Sequence, residues 1–503
     1  MRAAFFLICP GRVKRRASGC QRVSVFDEWR AIFTENQWCL FCFSQLSWRS
    51  AHRREKISLL FKAILWIHWT MSCFLRGILS RVLLVLWVWL WPCLGLGLAA
   101  VAADDTGRWW KGNLHAHSLW SDGDDYPEMI ADWYRERGYH FLAISDHNNI
   151  QSGERWHSVT NRPTGPMALE RYVRRFGSRW VWRRTRGGID EVRLRSFSEY
   201  RPLFEKAGRF LLIPAEEITA RHLVFPVHIN AINLRGVIEP LTGDSVLEVM
   251  RRNVDAVLEQ RARTHQPMFP HLNHPNFGWG VTAEDLARVG GERFFEVYNG
   301  HPAVRNEGDA NHPGTERIWD IVLTRRLAEL GLPPLFGTAT DDSHNYHTNS
   351  SSLSNSGRGW VMVRSRLLTA ESLIRSMELG EFYATTGVRL TRLQQSREGI
   401  ELRIQAEPGV SYQTHFVGTL RGYDTNSEPV LDKVGNMLPI TRRYSSDIGR
   451  VLAVVDGVSA SYRLGGQEVY VRARVISTKP KANGIETNEV ERAWTQPVSP
   501  VRR

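Results

Sequence analysis

The chain has 503 residues, of which 43% are apolar and 23% are charged. This length allows two to four domains or one large barrel with an appendage, and the composition excludes a disordered chain, a collagen and a membrane-spanning helix bundle. The net charge of +13 does not indicate a nucleic-acid-binding protein, because residues 1–103 carry 14 basic and 4 acidic residues, whereas residues 104–503 carry 51 and 48.

An apolar segment near the amino terminus predicts export. Residues 82–103 contain no charge, follow two arginines and end in small residues, which is the layout of a secretory signal. We expect residues 71–103 to be a signal peptide, with the mature, periplasmic or secreted protein starting at Ala103 or Asp104. The alternative is an uncleaved anchor, since 22 apolar residues also span a bilayer of about 30 Å. Residues 1–70 are interpreted as a non-native or unstructured extension.

All six cysteines precede residue 94. Disulfides, thiolate catalysis and Cys-type zinc sites are therefore excluded from the main body of the chain. Cys39 and Cys42 form a C-x-x-C without a second pair or a nearby histidine, which is weak evidence for redox chemistry or zinc binding.

Short apolar runs alternate with helical patterns over residues 109–389, which favours an α/β fold with a mainly parallel sheet or barrel. The expected strands are 141–145, 210–214, 228–234, 268–272, 294–298 and 334–337. The expected helices are 126–138, 245–263 and 314–331.

Three stretches depart from this alternation. Residues 151–209 are rich in Arg and Trp and indicate an insertion, and the Ser, Asn and Gly content of residues 345–359 predicts a mobile loop. Residues 390–503 show strand patterns separated by turns and few helical periods. They predict a small all-β, sandwich-like C-terminal domain that supplies no metal ligand.

Residue types that bind metals stand beside nearly every apolar run between 109 and 345. His115 and His117 are two apart on an extended segment, so their side chains project to one side. Parallel strands of a barrel bring such strand ends to one mouth. Imidazoles and carboxylates suit Zn²⁺, Mn²⁺ or Fe²⁺, and more than four ligands imply more than one metal ion.

The ordered motifs HAH, SDG, SDHN, AEEIT, H, NHP and DDSH resemble those of the PHP (polymerase and histidinol phosphatase) superfamily. Segments that begin at Glu296 and Leu379 resemble its carbaryl-hydrolase-like branch. The resemblance covers roughly residues 110–389. It implies a distorted seven-stranded, TIM-like β/α barrel over residues 104–389 with two or three divalent metal ions.

The resemblance also implies a ligand set. One metal would be held by His115, His117, Glu217 and Asp342, and Glu217 would bridge to a second metal held by His228 and His274. Asp122, His147 and His344 would hold a third, although some relatives have His in place of Asp122.

Three ligand choices rest on neighbouring residues in the motifs. Glu217 is preferred to Glu216 because it precedes Ile-Thr, and His274 is preferred to His271 because Pro follows it. Asp342 is preferred to Asp341 because it completes Asp-x-His.

We expect Asp146, His147 and Glu217 to be the catalytic residues, with Asp146 and Asn148 better suited to orienting neighbouring ligands by hydrogen bonds. Four arginines near the ligand segments could contact a substrate phosphate, although a solvated role is expected for each: Arg155, Arg221, Arg305 and Arg358. A surface or structural role is expected for His301, His312 and His347.

The leading function is a metal-dependent phosphoesterase, in which a metal-bound hydroxide attacks a small-molecule phosphoester. The sequence contains no G-x-S-x-G, H-E-x-x-H or P-loop motif, so nothing indicates a protein nucleophile. The alternatives are a carboxyl ester or carbamate hydrolase on the same metals and a non-catalytic, metal-stabilised envelope interaction protein. No nucleic-acid partner is expected, and membrane contact only through the N-terminal segment.

Overall fold

The computed structural model describes residues 107–500, which lie within one compact unit, Ala102–Arg503. The expectations for residues 1–103, namely the extension, the signal peptide or anchor and the C-x-x-C, fall outside the described residues. Within 107–500, no helix has both the length and the apolar character needed to cross a bilayer.

The elements follow the alternation expected from the apolar runs. The first part of the chain contains β1 (Arg108–Asn113), α1 (Pro127–Glu136), β2 (Phe141–Ile144), β3 (Arg155–Ser158), α2 (Gly165–Phe176), β4 (Arg183–Arg186), β5 (Ile189–Leu194), α3 (Phe197–Phe204), β6 (Leu211–His222) and β7 (Phe225–Ile232). The middle contains α4 (Val246–Thr264), β8 (Phe269–Leu272), α5 (Ala283–Arg288), β9 (Phe294–Asn299), α6 (Thr315–Thr324), β10 (Phe336–Thr340), β11 (Trp360–Ser365), α7 (Ala370–Glu378) and β12 (Phe382–Thr385).

The remainder of the described chain is built from strands. These are β13 (Leu390–Ser396), β14 (Gly399–Ile404), β15 (Tyr412–Leu420), β16 (Ser427–Glu428), β17 (Arg443–Tyr444), β18 (Arg450–Asp456), β19 (Ser459–Arg463), β20 (Glu468–Pro480) and β21 (Val490–Thr495).

Local sequence explains why these elements form. Every residue of β2 and β9 is buried, as expected for short apolar runs inside a sheet. Helix α1 has Pro127 at its first position and buries Ile130 and Tyr134, which are four residues apart on one face. In α4, the Ser245 side chain caps the helix by accepting a hydrogen bond from the Glu248 amide at 3.1 Å.

Thirteen strands form one mixed sheet in the order β10-β9-β8-β7-β6-β2-β1-β11-β12-β21-β20-β15-β18. The runs β6-β2-β1 and β10-β9-β8 are parallel, whereas β7 is antiparallel to both β6 and β8. Strand β7 departs from the expected parallel arrangement because only Leu223 and Val224 separate it from β6, which permits a hairpin but no crossover.

The segments that follow β1, β2 and β10 are hydrogen-bonded side by side. A parallel bridge joins Ala116 to Ser343, and the His117 amide donates to the Ser343 carbonyl at 2.9 Å. On the other side, the Ser145 amide donates to the Ala116 carbonyl at 2.8 Å. These contacts bring the carboxyl ends of the three strands together, while the closed seven-stranded barrel itself stays a prediction.

The C-terminal strands have the all-β character that the sequence predicted, but they share a sheet with the rest of the unit. Strand β21 pairs with β12 and carries β20, β15 and β18 into the large sheet. Strands β13, β14 and β19 form a separate antiparallel sheet. A core that includes Leu393, Leu402, Phe416 and Val471 lies between the two sheets, as in a sandwich.

Two irregular stretches are packed against the ligand-bearing elements. The insertion at 151–209 contains the antiparallel sheet β3-β5-β4, and the Trp120 indole donates to the Arg195 carbonyl of this insertion at 3.0 Å. The stretch 345–359 differs from the expected mobile loop, because the buried Arg358 guanidinium donates to the carbonyls of Ser350, Leu353 and Gly300.

Candidate metal centre

The nine side chains predicted as ligands converge at one edge of the sheet. They follow β1, β2, β8 and β10, or lie within β6 and near the start of β7. His228 reaches this edge because β7 is antiparallel to β6 and pairs His228 with Thr219. The cluster comprises His115, His117, Asp122, His147, Glu217, His228, His274, Asp342 and His344.

The ligand atoms form four overlapping groups, and within each group they all lie within 4.8 Å of one another. The groups are His115-His117-Asp342, His115-Glu217-His274, His147-Glu217-His228 and His117-Asp122-His147-His344.

The first group brings two imidazole nitrogens and a carboxylate together. Nε2 of His115 and Nε2 of His117 are 3.1 Å apart and lie 3.2 and 3.3 Å from Asp342 Oδ1. His115 Nδ1 donates to Glu296 Oε1 at 2.7 Å, which leaves Nε2 as the ring nitrogen that faces His117 and Asp342. Two imidazole nitrogens and a carboxylate oxygen at such short distances suit a shared cation.

Glu217 occupies the centre of the cluster and is buried. Its Oε1 atom lies 3.1 Å from His228 Nδ1, 3.2 Å from His274 Nε2 and 3.5 Å from His115 Nε2. Its Oε2 atom lies 2.7 Å from His147 Nδ1 and 3.5 Å from His117 Nε2. Burial alone would raise the pKa of Glu217, but the surrounding imidazoles, above all His147, His228 and His115, hold it well below its ordinary value.

Asp122 lies at the centre of the group nearest to solvent, His117-Asp122-His147-His344. Its carboxylate lies 3.2 Å from His344 Nε2, 3.5 Å from His147 Nε2 and 3.6 Å from His117 Nδ1, and its side chain is 51% exposed. Burial lowers the pKa of His147, but the Glu217 and Asp122 carboxylates outweigh burial and raise it to about 11. With Asp122 half exposed, this group is the part of the cluster that is most open to solvent.

The grouping differs in three places from the partition that the resemblance implies. His147 approaches both Asp122 and Glu217, and His117 approaches both Asp122 and Asp342. His228 and His274 each contact Glu217 but fall into different groups. The assignment of ligands to individual cations therefore stays a prediction.

The neighbouring residues that competed for three ligand positions have other partners. Glu216 Oε1 accepts a hydrogen bond from the Ile238 amide at 2.7 Å, and burial raises the pKa of Glu216 to about 8. His271 Nε2 lies 2.5 Å from Thr338 Oγ1, and Asp341 accepts from three successive backbone amides at 357–359. Adjacent side chains on extended backbone point to opposite faces, which accounts for the separation of Glu216 from Glu217.

Asp146 lies outside the four groups, and its catalytic role stays a prediction. Its carboxylate accepts from the Ser118 amide and hydroxyl at 2.7 Å, from the Ser121 hydroxyl at 2.6 Å and from the Gln151 amide at 2.7 Å. Asp146 therefore fixes the loop that carries His117 and Asp122. Asn148 orients β6, because its amide donates to the Glu217 carbonyl at 2.9 Å.

Sequence reasoning gave no role to Glu296, which supports ligands of two groups. Its Oε1 atom accepts from His115 Nδ1, and its Oε2 atom accepts from the His274 amide and from Asn299 Nδ2, both at 2.7 Å. Burial raises the pKa of Glu296, but His115 and His274 outweigh it and lower the pKa to about 2. The sequence did contain one signal for this role, because Glu296 is the single acidic residue within the otherwise apolar run 294–298 of β9.

The other candidate residues take different positions. His312 stacks on Trp279, His347 Nε2 lies 2.9 Å from the Asp124 carbonyl, and Arg358 is committed to backbone carbonyls. The side chains of Arg155, Arg221 and Arg305 are exposed.

No family model matches the chain, and no curated protein matches it. Solved structures that resemble it include the following three. A two-domain protein from Bacteroides vulgatus, described as containing a predicted PHP-like metal-dependent phosphoesterase, is 14% identical, covers 78% of this chain and 96% of its own, and has a TM-score of 0.32. A protein from Bifidobacterium adolescentis, described as a predicted metal-dependent phosphoesterase, is 14% identical, covers 46% of this chain and 87% of its own, and has a TM-score of 0.24.

The third structure is an amidohydrolase from Chromobacterium violaceum with bound sulfate and no metal. It is 12% identical, covers 48% of this chain and 90% of its own, and has a TM-score of 0.26. All three likenesses are remote.

Proposed function

We propose that the protein is a metal-dependent hydrolase and that it acts as a phosphoesterase. The observation that carries the proposal is the convergence of six imidazoles and three carboxylates into four overlapping groups around Glu217. Overlapping groups suit more than one cation, and paired cations are the arrangement that holds both the attacking and the leaving oxygen of a phosphoryl group.

The side chains fit divalent metal ions. Glu217 Oε2 is buried and receives no hydrogen bond from the described residues, although imidazole nitrogens surround it. Such an oxygen is costly to bury unless a cation satisfies it. Imidazole and carboxylate ligands without cysteine suit Zn²⁺, Mn²⁺ or Fe²⁺. When bound, these ions would lower the pKa of a coordinated water and offset charge on the phosphoryl oxygens.

The chain's own residues position the ligands. Glu296 sets the tautomer of His115, and Asn299 Nδ2 donates to Asp342 Oδ2 at 3.1 Å. Asp146 holds the loop from Ser118 to Ser121 through three hydrogen bonds, which keeps Asp122 beside His344. The partly exposed Asp122 group leaves one side of the cluster open for a substrate.

An assay panel tests this function. Purified protein loaded with Mn²⁺ or Zn²⁺ is expected to bind at least two ions per chain and to hydrolyse aryl phosphomonoesters or phosphodiesters. Turnover restricted to carboxyl esters or carbamates would replace the phosphoesterase proposal with the alternative hydrolase. Stoichiometric metal binding without any turnover would favour the interaction protein.

We also propose that the protein is exported, because the charge-free residues 82–103 end in small residues. N-terminal sequencing of the protein from an envelope fraction should give Ala103 or Asp104. A cytoplasmic chain that still begins at Met1 would contradict the proposal.

A further inference from the structure

Two aromatic side chains outside the four ligand groups stand beside them. The Phe277 ring lies 5.1 Å from the His274 ring and 5.9 Å from the His228 ring, measured between centroids. The His301 ring lies 5.5 Å from the His344 ring and 6.3 Å from Phe277, nearly perpendicular to it. Phe277 and His301 therefore flank the cluster next to ligands of three different groups.

The hydrogen bonds of His301 leave one ring nitrogen available. The Ala303 amide donates to His301 Nδ1 at 3.1 Å, so a neutral ring carries its proton on Nε2. Among residues 107–500, nothing accepts a hydrogen bond from that Nε2–H. The side chain is half-buried, so this donor is accessible to a ligand at the cluster.

The two loops that carry these rings are tied together. The Asn276 side-chain amide donates to the carbonyls of Arg305 and Pro313 at 2.8 and 3.0 Å. Trp279 stacks on His312 with the ring centroids 3.9 Å apart, and its backbone adopts a left-handed φ of 53°. A non-glycine residue persists in this conformation only where its surroundings enforce it, so the loops hold Phe277 and His301 in a fixed arrangement.

The chemistry of the two rings indicates which part of a substrate they would meet. Cations at the carboxylate-imidazole cluster would take the non-bridging phosphoryl oxygens, which leaves the apolar ring and the neutral N–H donor at its flank to meet the rest of the ester. The apolar ring of Phe277 suits the organic part of an ester, and the N–H donor of His301 suits the oxygen that joins this part to phosphorus. An aromatic face also favours a planar, apolar group.

We propose that Phe277 and His301 form the leaving-group side of the site and select phosphoesters of aryl or similarly apolar alcohols. The Phe277 ring packs against the organic group, and His301 Nε2–H donates to the bridging oxygen as negative charge develops on it. This inference rests on the proposed phosphoesterase function and names its substrate class.

Binding of unreactive phosphonates tests the part played by Phe277. Metal-loaded wild-type protein should bind phenylphosphonate about tenfold more tightly than methylphosphonate in calorimetry, as one aromatic contact allows. Phe277→Ala should bring the ratio of the two affinities close to one with unchanged affinity for methylphosphonate, while Phe277→Tyr should keep it. Equal wild-type affinities for the two phosphonates would overturn the inference.

A series of aryl phosphates with increasingly poor leaving groups tests His301. His301→Ala should lower kcat/KM by roughly 100-fold for the poorest leaving group and by less than about tenfold for the best, because only the poor ones need the donor. His301→Gln, which keeps an amide N–H near the position of Nε2, should restore part of the loss. Metal content, measured by elemental analysis, should be unchanged in both variants.

The outcomes separate this inference from the function on which it rests. Loss of kcat/KM that is uniform across the series, or that accompanies loss of metal, would overturn the role of His301 while leaving the phosphoesterase intact. A fully metal-loaded wild-type protein that neither hydrolyses the aryl phosphates nor binds either phosphonate would refute both.

Discussion

Glu216 and Glu217 are neighbours in β6, and both are buried, yet their surroundings favour opposite protonation states. Imidazoles around Glu217 lower its pKa well below the ordinary value, whereas burial without a basic neighbour raises the pKa of Glu216 to about 8. One residue therefore offers a carboxylate to cations, and the other stays neutral and bonds to the Ile238 amide. Because of this contrast, a substitution at Glu216 is a suitable control for the same substitution at Glu217.

Glu217→Gln keeps the shape of the side chain but removes the charge of a carboxylate that belongs to two of the four groups. We expect it to reduce bound metal by more than one ion per chain and to lower turnover by more than about 100-fold, the upper range for losing a residue that merely supports a ligand. Glu216→Gln should retain metal and activity. Elemental analysis measures the bound metal, and kinetics measure the turnover, of both variants. Loss of metal and activity in Glu216→Gln alone would mean that Glu216, and not Glu217, is the metal ligand.

Glu296 supports His115 through its side chain and His274 through its backbone amide. Glu296→Gln should weaken metal binding or activity by about 10–100-fold, because the amide cannot accept the His115 proton with the same strength. Glu292→Gln is the control: Glu292 is also buried, but it bonds to the backbone amides of Arg293 and Phe294 rather than to a ligand. Equal metal loss in both variants, measured by competition with a chelator, would refute a specific role for Glu296.

At the scale of elements, the sequence predicted the strands that carry ligands but not their full length or pairing. The expected run 141–145 became Phe141–Ile144, whereas the run 210–214 became the much longer Leu211–His222. Strand β6 continues through polar residues because β7 pairs with it as a hairpin, and this pairing is a tertiary contact that periodicity does not contain.

The partition of ligands was unpredictable for a similar reason. It depends on which oxygen of Glu217 each imidazole faces, and His147 faces Oε2 whereas His228 and His274 face Oε1. Motif order identifies residue types that gather at one edge, but only the folded loops fix these directions.

The insertion docks on α1 through a buried acid, which predicts a pH dependence of stability. Glu128 Oε1 accepts from the Tyr172 hydroxyl at 2.5 Å and the Trp180 indole at 3.0 Å, and burial raises the pKa of Glu128 from 4.5 to about 7. A folded-state pKa above the unfolded value contributes stability below about pH 4.5 that is lost as the pH rises through 7.

In the wild type, the unfolding free energy should decline between pH 5 and pH 8, and one such group can contribute a slope of at most about 1.4 kcal/mol per pH unit. Glu128→Gln should therefore make this decline shallower. Urea titrations at several pH values measure the unfolding free energy of both proteins and hence the slope. Glu170→Gln removes an exposed acid from α2 and should leave the slope as in the wild type. A wild-type slope in Glu128→Gln would assign the pH dependence to other groups.

At the scale of the whole molecule, the ligand-bearing strands and the C-terminal strands share both a sheet and a core. Phe295 and Trp319 pack in the same cluster as Tyr470 and Trp494. Arg472 of β20 donates to both carboxylate oxygens of Asp320 in α6 at 2.8 Å, and both residues are buried. Residues 390–500 thus supply no member of the four ligand groups but pack directly against the elements that do.

We expect these two parts to unfold together, because neither retains a complete core without the other. In denaturant, tryptophan fluorescence and far-UV circular dichroism should follow one coincident transition. Arg472→Met should lower the unfolding free energy by about 3–5 kcal/mol, since it leaves the Asp320 carboxylate buried without its partner, and it should shift both probes equally. Arg392→Ala, which breaks an exposed pair with Glu401, should cost no more than about 1 kcal/mol. Two separate transitions, only one of them shifted by Arg472→Met, would show instead that the C-terminal strands fold as an independent domain and that the ligand cluster does not depend on them.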